Sequence, residues 1–104
     1  AWHAGIDITS VNKESPVKAL ASGVVIFSGE RQGYGKMVEI DHANGYVTRY
    51  AHHRELLVEE GTIIKKGEYL GIMGDTGRST GPHVHVEVLL NGKNINPAQF
   101  LVNN

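Results

Sequence analysis

The chain has no cysteine. That excludes a disulfide framework and a thiolate metal site, so any metal here is held by histidine and carboxylate. Proline is scarce, with three in 104 residues. No apolar run approaches the ~20 residues that a membrane-spanning helix needs. Neither sign of charge dominates: 10 Lys and Arg stand against 11 Asp and Glu, interspersed along the chain. A basic tract is missing, as is any interleaving of aromatic with basic residues, which argues against nucleic acid as the main partner. No linker, repeat or low-complexity stretch breaks residues 1–104, so one domain is expected, large enough to bury a core without staples. The chain opens on Ala1-Trp2-His3, with no basic region followed by an apolar one. A functional histidine at position 3 would sit on a frayed terminus, so the chain reads as a fragment of a longer protein.

What is present points to strands. Thirteen glycines are spread evenly, and alternating runs at 16–20, 23–28, 36–42, 46–51, 62–65, 68–73 and 83–90 recur about every ten residues, the spacing of an all-β sandwich or barrel. Asn44-Gly45 and Asn91-Gly92 are hairpin signals, because both residues of each pair tolerate positive φ; the second is expected to lead into Asn94-Ile95. Helix should be very little: one turn at 54–57 and another at 97–100. In the run from Tyr46, alternation places Tyr46, Thr48, Tyr50 and His52 on one face and Val47, Arg49 and Ala51 on the other.

The most informative stretch is Gly81-Pro82-His83-Val84-His85-Val86-Glu87-Val88. On a strand, residues two apart share a face, so His83 and His85 project side by side, about 6.5–7 Å apart. One strand histidine is ordinarily a hydrogen-bonded structural residue, but two at this spacing after a Gly-Pro turn suggest ligation. At the other end lies His3-Ala4-Gly5-Ile6-Asp7. Gly5 and the β-branched Ile6 and Ile8 favour an extended segment, in which His3 and Asp7 also share a face. Imidazoles plus one carboxylate are the donor set of a zinc site that keeps an open position. These residues point to a zinc-dependent hydrolase. His42 reads as structural or exposed, His53 as structural, and Trp2 as buried. Glu39, Asp41, Glu59, Glu60 and Glu87 read as a solvated face. The small polar loop 74–82 reads either as a plain connection or as a carrier of substrate contacts.

His3-Ala4-Gly5-Ile6-Asp7, Arg49-Tyr50-Ala51-His52 and Gly77-Arg78-Ser79-Thr80-Gly81-Pro82-His83-Val84-His85 together resemble the lysostaphin/LytM-type zinc metallopeptidases. Gly33-Tyr34-Gly35 and Ile40-Asp41-His42-Ala43-Asn44-Gly45-Tyr46 extend the resemblance over nearly the whole chain. It implies a mainly antiparallel, barrel-sandwich-like β core with an open groove, and cleavage of peptide cross-links in bacterial peptidoglycan. It also implies a periplasmic, cell-envelope or secreted location. Carried across residue by residue, one Zn2+ falls to His3, Asp7 and His85, and the catalytic histidines are His52 and His83. Two features depart from the family. A strand and loop that usually precede the first ligand are missing, and His53 replaces what is often an apolar residue or asparagine.

The chemistry agrees with the resemblance. Zinc in such a site lowers the pKa of its water to roughly 7. Of His52 and His83, one would take a proton and pass it to the leaving amine, work suited to a pKa near roughly 6.5. The other would orient the water or stabilise the oxyanion. Residue types assign these roles to the pair, not to either member. Three rivals stand beside this reading: a closed structural zinc site that includes His83, a catalytically inactive regulator of another wall hydrolase, and a carrier module suggested by the lipoyl-like run 58–70.

Overall fold

The computed structural model describes residues 6–9, 15–74 and 83–102, with the side chains of all of these except 6–9, 83 and 102. They form β1 (Ile6–Thr9), β2 (Pro16–Lys18), β3 (Gly23–Arg31), β4 (Gly35–Asp41), β5 (Tyr46–Leu56), β6 (Ile63–Ile64), β7 (Tyr69–Met73), β8 (His83–Leu90), β9 (Lys93–Ile95) and α1 (Pro97–Val102). Every pairing is antiparallel. The strands make one curled sheet in the order β1-β8-β5-β4-β3-β6, with β7 bridging β2 and β5 and β9 flanking β8. The all-β expectation holds. Among the described residues no helix is long and apolar enough to cross a membrane.

Alternation builds the core. Val25, Val38, Ile40, Tyr50, Val84 and Val86 face inward from β3, β4, β5 and β8 and are essentially inaccessible, joined by Ile64 and Leu70. A buried phenol needs a partner for its hydroxyl. The Tyr50 hydroxyl accepts from the Leu20 backbone N–H (3.1 Å) and lies 2.8 Å from Thr48 Oγ1. Burial pushes its pKa up to about 12, against the two hydrogen bonds. Thr48 in turn meets His42 Nε2 at 2.6 Å, and His42 Nδ1 lies 2.7 Å from the Ser22 carbonyl. His42 is therefore structural, as expected.

Both Asn-Gly signals are turns. Asn44 and Gly45 have φ of 55° and 85°, and Asn91 and Gly92 have 52° and 82°. The second turn delivers β9 onto β8, with Leu90 opposite Lys93. Two local expectations need correcting. Residues 54–57 form no helical turn, because β5 runs on through Leu56 with His53, Glu55 and Leu56 paired to β7. The single turn at 97–100 is a longer helix, Pro97–Val102. Pro97 starts it without losing a needed donor, and the Asn96 side chain accepts from the Ala98 N–H (3.0 Å). Phe100 locks it down, fully buried and with its ring 5.1 Å from that of His42 and 5.2 Å from that of Tyr46.

β5 has a feature that positions the site. Along one edge it pairs with β8 from Tyr46 to Ala51. Along the same edge it pairs with β7 from His53 onward. The sheet thus forks at His52.

Candidate metal centre and active site

On β8, Val84, Val86 and Val88 turn into the core, so His85 and Glu87 belong to the opposite face. Register then assembles a row across three strands. Asp7 of β1 pairs with His85, and His85 pairs with Ala51 of β5. Cross-strand partners have Cβ atoms about 4.5–5.5 Å apart, so the backbone sets Asp7 beside His85 from the far end of the sequence. Thr9 pairs with His83 in the same ladder. His3 and the side chains of Asp7 and His83 lie outside the described residues, as do Trp2 and loop residues 75–82. Among the described residues no three His, Asp or Glu side chains group to hold a metal.

His52 reaches this row through a β-bulge. Lys36 pairs with His53 but Val38 with Tyr50, so Ala51 and His52 together oppose Met37 alone. His52 takes up the extra residue in the left-handed region, with φ of 66°. Strain of this kind, of order 1–3 kcal/mol, persists only where the surroundings enforce it. Here the His52 N–H donates to the Tyr34 carbonyl (2.9 Å). On the other side Gly74 approaches so closely that a Cβ there would lie 2.2 Å from the His52 carbonyl oxygen. The bulge overturns the simple alternation: His52 does not share the Tyr50 face. Its ring stands 6.3 Å from that of His85, at 61° to it.

The next residue points inward. His53 is 4% exposed, its Nδ1 lies 3.1 Å from the Lys36 carbonyl oxygen, and its buried Nε2 has no hydrogen-bond partner among the described residues. Burial lowers its pKa, helped by neighbouring His52 and opposed by the Lys36 contact. The structural reading of His53 holds.

Two carboxylates expected on a solvated face are instead enclosed. Glu39 and Glu87 are 8% and 6% exposed. The cause is register, since Glu39, Arg49 and Glu87 are direct partners across β4, β5 and β8. Arg49 Nε meets Glu39 Oε2 at 2.5 Å and its Nη1 meets Glu87 Oε1 at 3.5 Å. Arg31 Nη1 adds a second contact to Glu39 at 3.3 Å. The Tyr34 hydroxyl accepts from Arg49 Nη1 and donates to Glu87 Oε1, both at 3.2 Å. Burial works against the Arg49 charge, but Glu39, Tyr34 and Glu87 outweigh it and hold the guanidinium pKa above its usual value. Glu87 then meets the expected ligand directly: its Oε2 lies 3.2 Å from His85 Nε2. Sequence reasoning missed this connection, although the spacing of His85 and Glu87 on one strand face carried the signal.

Comparison with known proteins agrees with this geometry. The DD-carboxypeptidase/endopeptidase Mpg of Neisseria meningitidis serogroup B is 47% identical over 95 residues, 91% of this chain and 22% of that protein. The peptidoglycan DD-endopeptidase ShyC of Vibrio cholerae is 45% identical over 83 residues, 80% of this chain and 19% of that protein. The chain thus spans about a fifth of the length of these relatives. Among solved structures, the antimicrobial peptidase lysostaphin from Staphylococcus simulans superposes with a TM-score of 0.83 at 31% identity, covering 97% of this chain and 44% of that one. A zinc-containing peptidase from Vibrio cholerae superposes with a TM-score of 0.77 at 35% identity, covering 88% of this chain and 28% of that one. The model of peptidase family M23 matches residues 1–97, and the chain belongs to that family.

Proposed function

We propose that this domain is a zinc-dependent endopeptidase that hydrolyses peptide cross-links of bacterial peptidoglycan in the cell envelope or outside the cell. The observation that carries the reading is the convergence at the fork: His52 is bulged onto the face of His85, ring to ring at 6.3 Å, with Asp7 in register beside it. His3, Asp7 and His85 would hold one Zn2+. Two neutral nitrogens and one anionic oxygen suit that ion and leave a position open. When bound, zinc supplies a Lewis acid that polarises the scissile carbonyl and acidifies water.

The protein's own residues do the rest. His52 stands beside His85, and His83 lies two residues from His85 on β8. One takes the proton of the attacking water and delivers it to the leaving amine. The other donates a hydrogen bond to the oxyanion as charge develops. The balance is simple hydrolysis: the amide C–N bond breaks, hydroxide adds to carbon and the proton ends on nitrogen. The DD-endopeptidase names of two relatives favour a bond between D-alanine and a diamino acid over a Gly-Gly bridge.

Mass analysis of muropeptides released from purified peptidoglycan tests this. The zinc-loaded protein should convert cross-linked dimers to monomers. His52→Ala and His83→Ala should each lose at least 100-fold in rate, within the usual range for an acid–base group. Both variants should keep their zinc. Loss of zinc from His83→Ala would make His83 a ligand of a closed site and overturn the hydrolase reading.

A further inference from the structure

The zinc reading assigns His85 to the metal but not the nitrogen it uses. The buried charge network supplies that assignment. We propose that Glu87 is a positioning residue for the metal: its carboxylate takes the Nε2 side of His85 and sets the ring so that Nδ1 is the coordinating nitrogen.

The geometry is specific. His85 and Glu87 are two apart on β8 and share a face, and Nε2 lies 3.2 Å from Glu87 Oε2. A carboxylate only accepts, so Nε2 carries the hydrogen; a neutral imidazole has one N–H, which puts the lone pair on Nδ1. The other oxygen of Glu87 is already engaged, by the Tyr34 hydroxyl at 3.2 Å and Arg49 Nη1 at 3.5 Å. Arg49 is held in turn by Glu39, which also takes Arg31. The carboxylate therefore has its orientation and its compensating charge before any ion arrives. Tyr34 couples this to the catalytic side, since its carbonyl takes the His52 N–H while its hydroxyl takes Glu87. One residue at the tip of the β3–β4 hairpin thus indexes both histidines. An outer carboxylate that receives the spare N–H of a ligating histidine fixes its tautomer and raises its basicity, and its loss typically weakens metal binding by about 10–100-fold.

The inference rests on the zinc reading, and the experiment separates the two. Zinc dissociation constants would be measured by competition with a chelator for the wild type, Glu87→Gln and Glu87→Leu. The imidazole tautomer of His85 would be read by 15N NMR in the metal-free protein. Melting in excess chelator reports whether each variant folds. We expect the Nε2–H tautomer in the wild type and zinc affinity within a few-fold of wild type for Glu87→Gln, which keeps an acceptor. Glu87→Leu should bind zinc about 10–100-fold more weakly. A residue that merely props the sheet would change melting and leave the tautomer alone. The Nδ1–H tautomer in the wild type overturns the inference whether or not the leucine variant folds, as does wild-type zinc affinity in a folded Glu87→Leu. Absence of zinc binding by the wild type, with His85 in the Nε2–H form, would overturn the metal reading itself.

Discussion

His53 shows how much one side chain's surroundings matter. It follows His52 directly, yet the bulge sends the two into opposite environments: one beside His85, the other under the sheet against Gly71, where a Cβ would lie 2.5 Å from the His53 ring. Its buried Nε2 has no partner among the described residues, and a buried polar atom left unpaired costs about 1–3 kcal/mol. Burial keeps it neutral, with its pKa below 6.5. The unfolded chain therefore binds the proton first as pH falls. Stability is full above pH ~6.5 and declines below it, until the folded-state pKa is passed, with a slope of up to about 1.4 kcal/mol per pH unit from this group. His42, also lowered by burial against the Ser22 and Asp41 contributions, adds in the same direction. His53→Leu should be neutral or stabilising at pH 8 and should flatten the fall in melting temperature between pH 7 and 5. An unchanged slope would show that His53 is not the group titrating. At this scale the structural role of His53 was legible in the sequence, but not its cause. Nor was the enclosure of Glu39 and Glu87, because it depends on Arg49 lying between them in a three-strand register that no local pattern reveals.

The β5 strand carries the element-scale lesson. Period-two reading locates β8 residue for residue and both Asn-Gly turns, since those signals are local and geometric. It fails at residue 52, because a bulge inserts one residue and reverses the facing of everything beyond it. No glycine marks the place, as the left-handed conformation is taken by a histidine. The same strand was expected to end at 51 and a helical turn to follow at 54–57. Pairing with β7 instead carries the strand to Leu56. The neighbour that permits the bulge is Gly74, whose missing side chain lets the chain pass the His52 carbonyl. Gly74→Ala should therefore cost about 1–3 kcal/mol through overpacking and displace His52. The expected result is a lower denaturation midpoint together with a fall in muropeptide cleavage larger than the lost folded fraction. Wild-type stability in this variant would mean that the backbone relaxes freely there.

Across the whole molecule, the proposed ligands come from both ends of the sequence, His3 and Asp7 from one and His85 from the other. Among the described residues β1 joins the sheet through β8 alone. An ion bound there would pin that edge strand, and binding energy would appear as folding stability. At a free zinc concentration 100 times the dissociation constant the gain is about 2.7 kcal/mol. For a domain of this size that corresponds to a shift of roughly 10–20 °C in melting temperature. Adding EDTA to the zinc-loaded protein should abolish cleavage and lower the melting temperature together. A melting temperature indifferent to the chelator would separate the ion from the fold.

The branching of the sheet beside β5 has a further consequence. Each arm leaves β5 on its own main-chain pairing, β8 up to Ala51 and β7 from His53, so the two arms can vary separately. Under the proposed activity, different cross-bridge peptides could then be accommodated by changes within one arm, while the rings of His52 and His85 keep their 6.3 Å spacing.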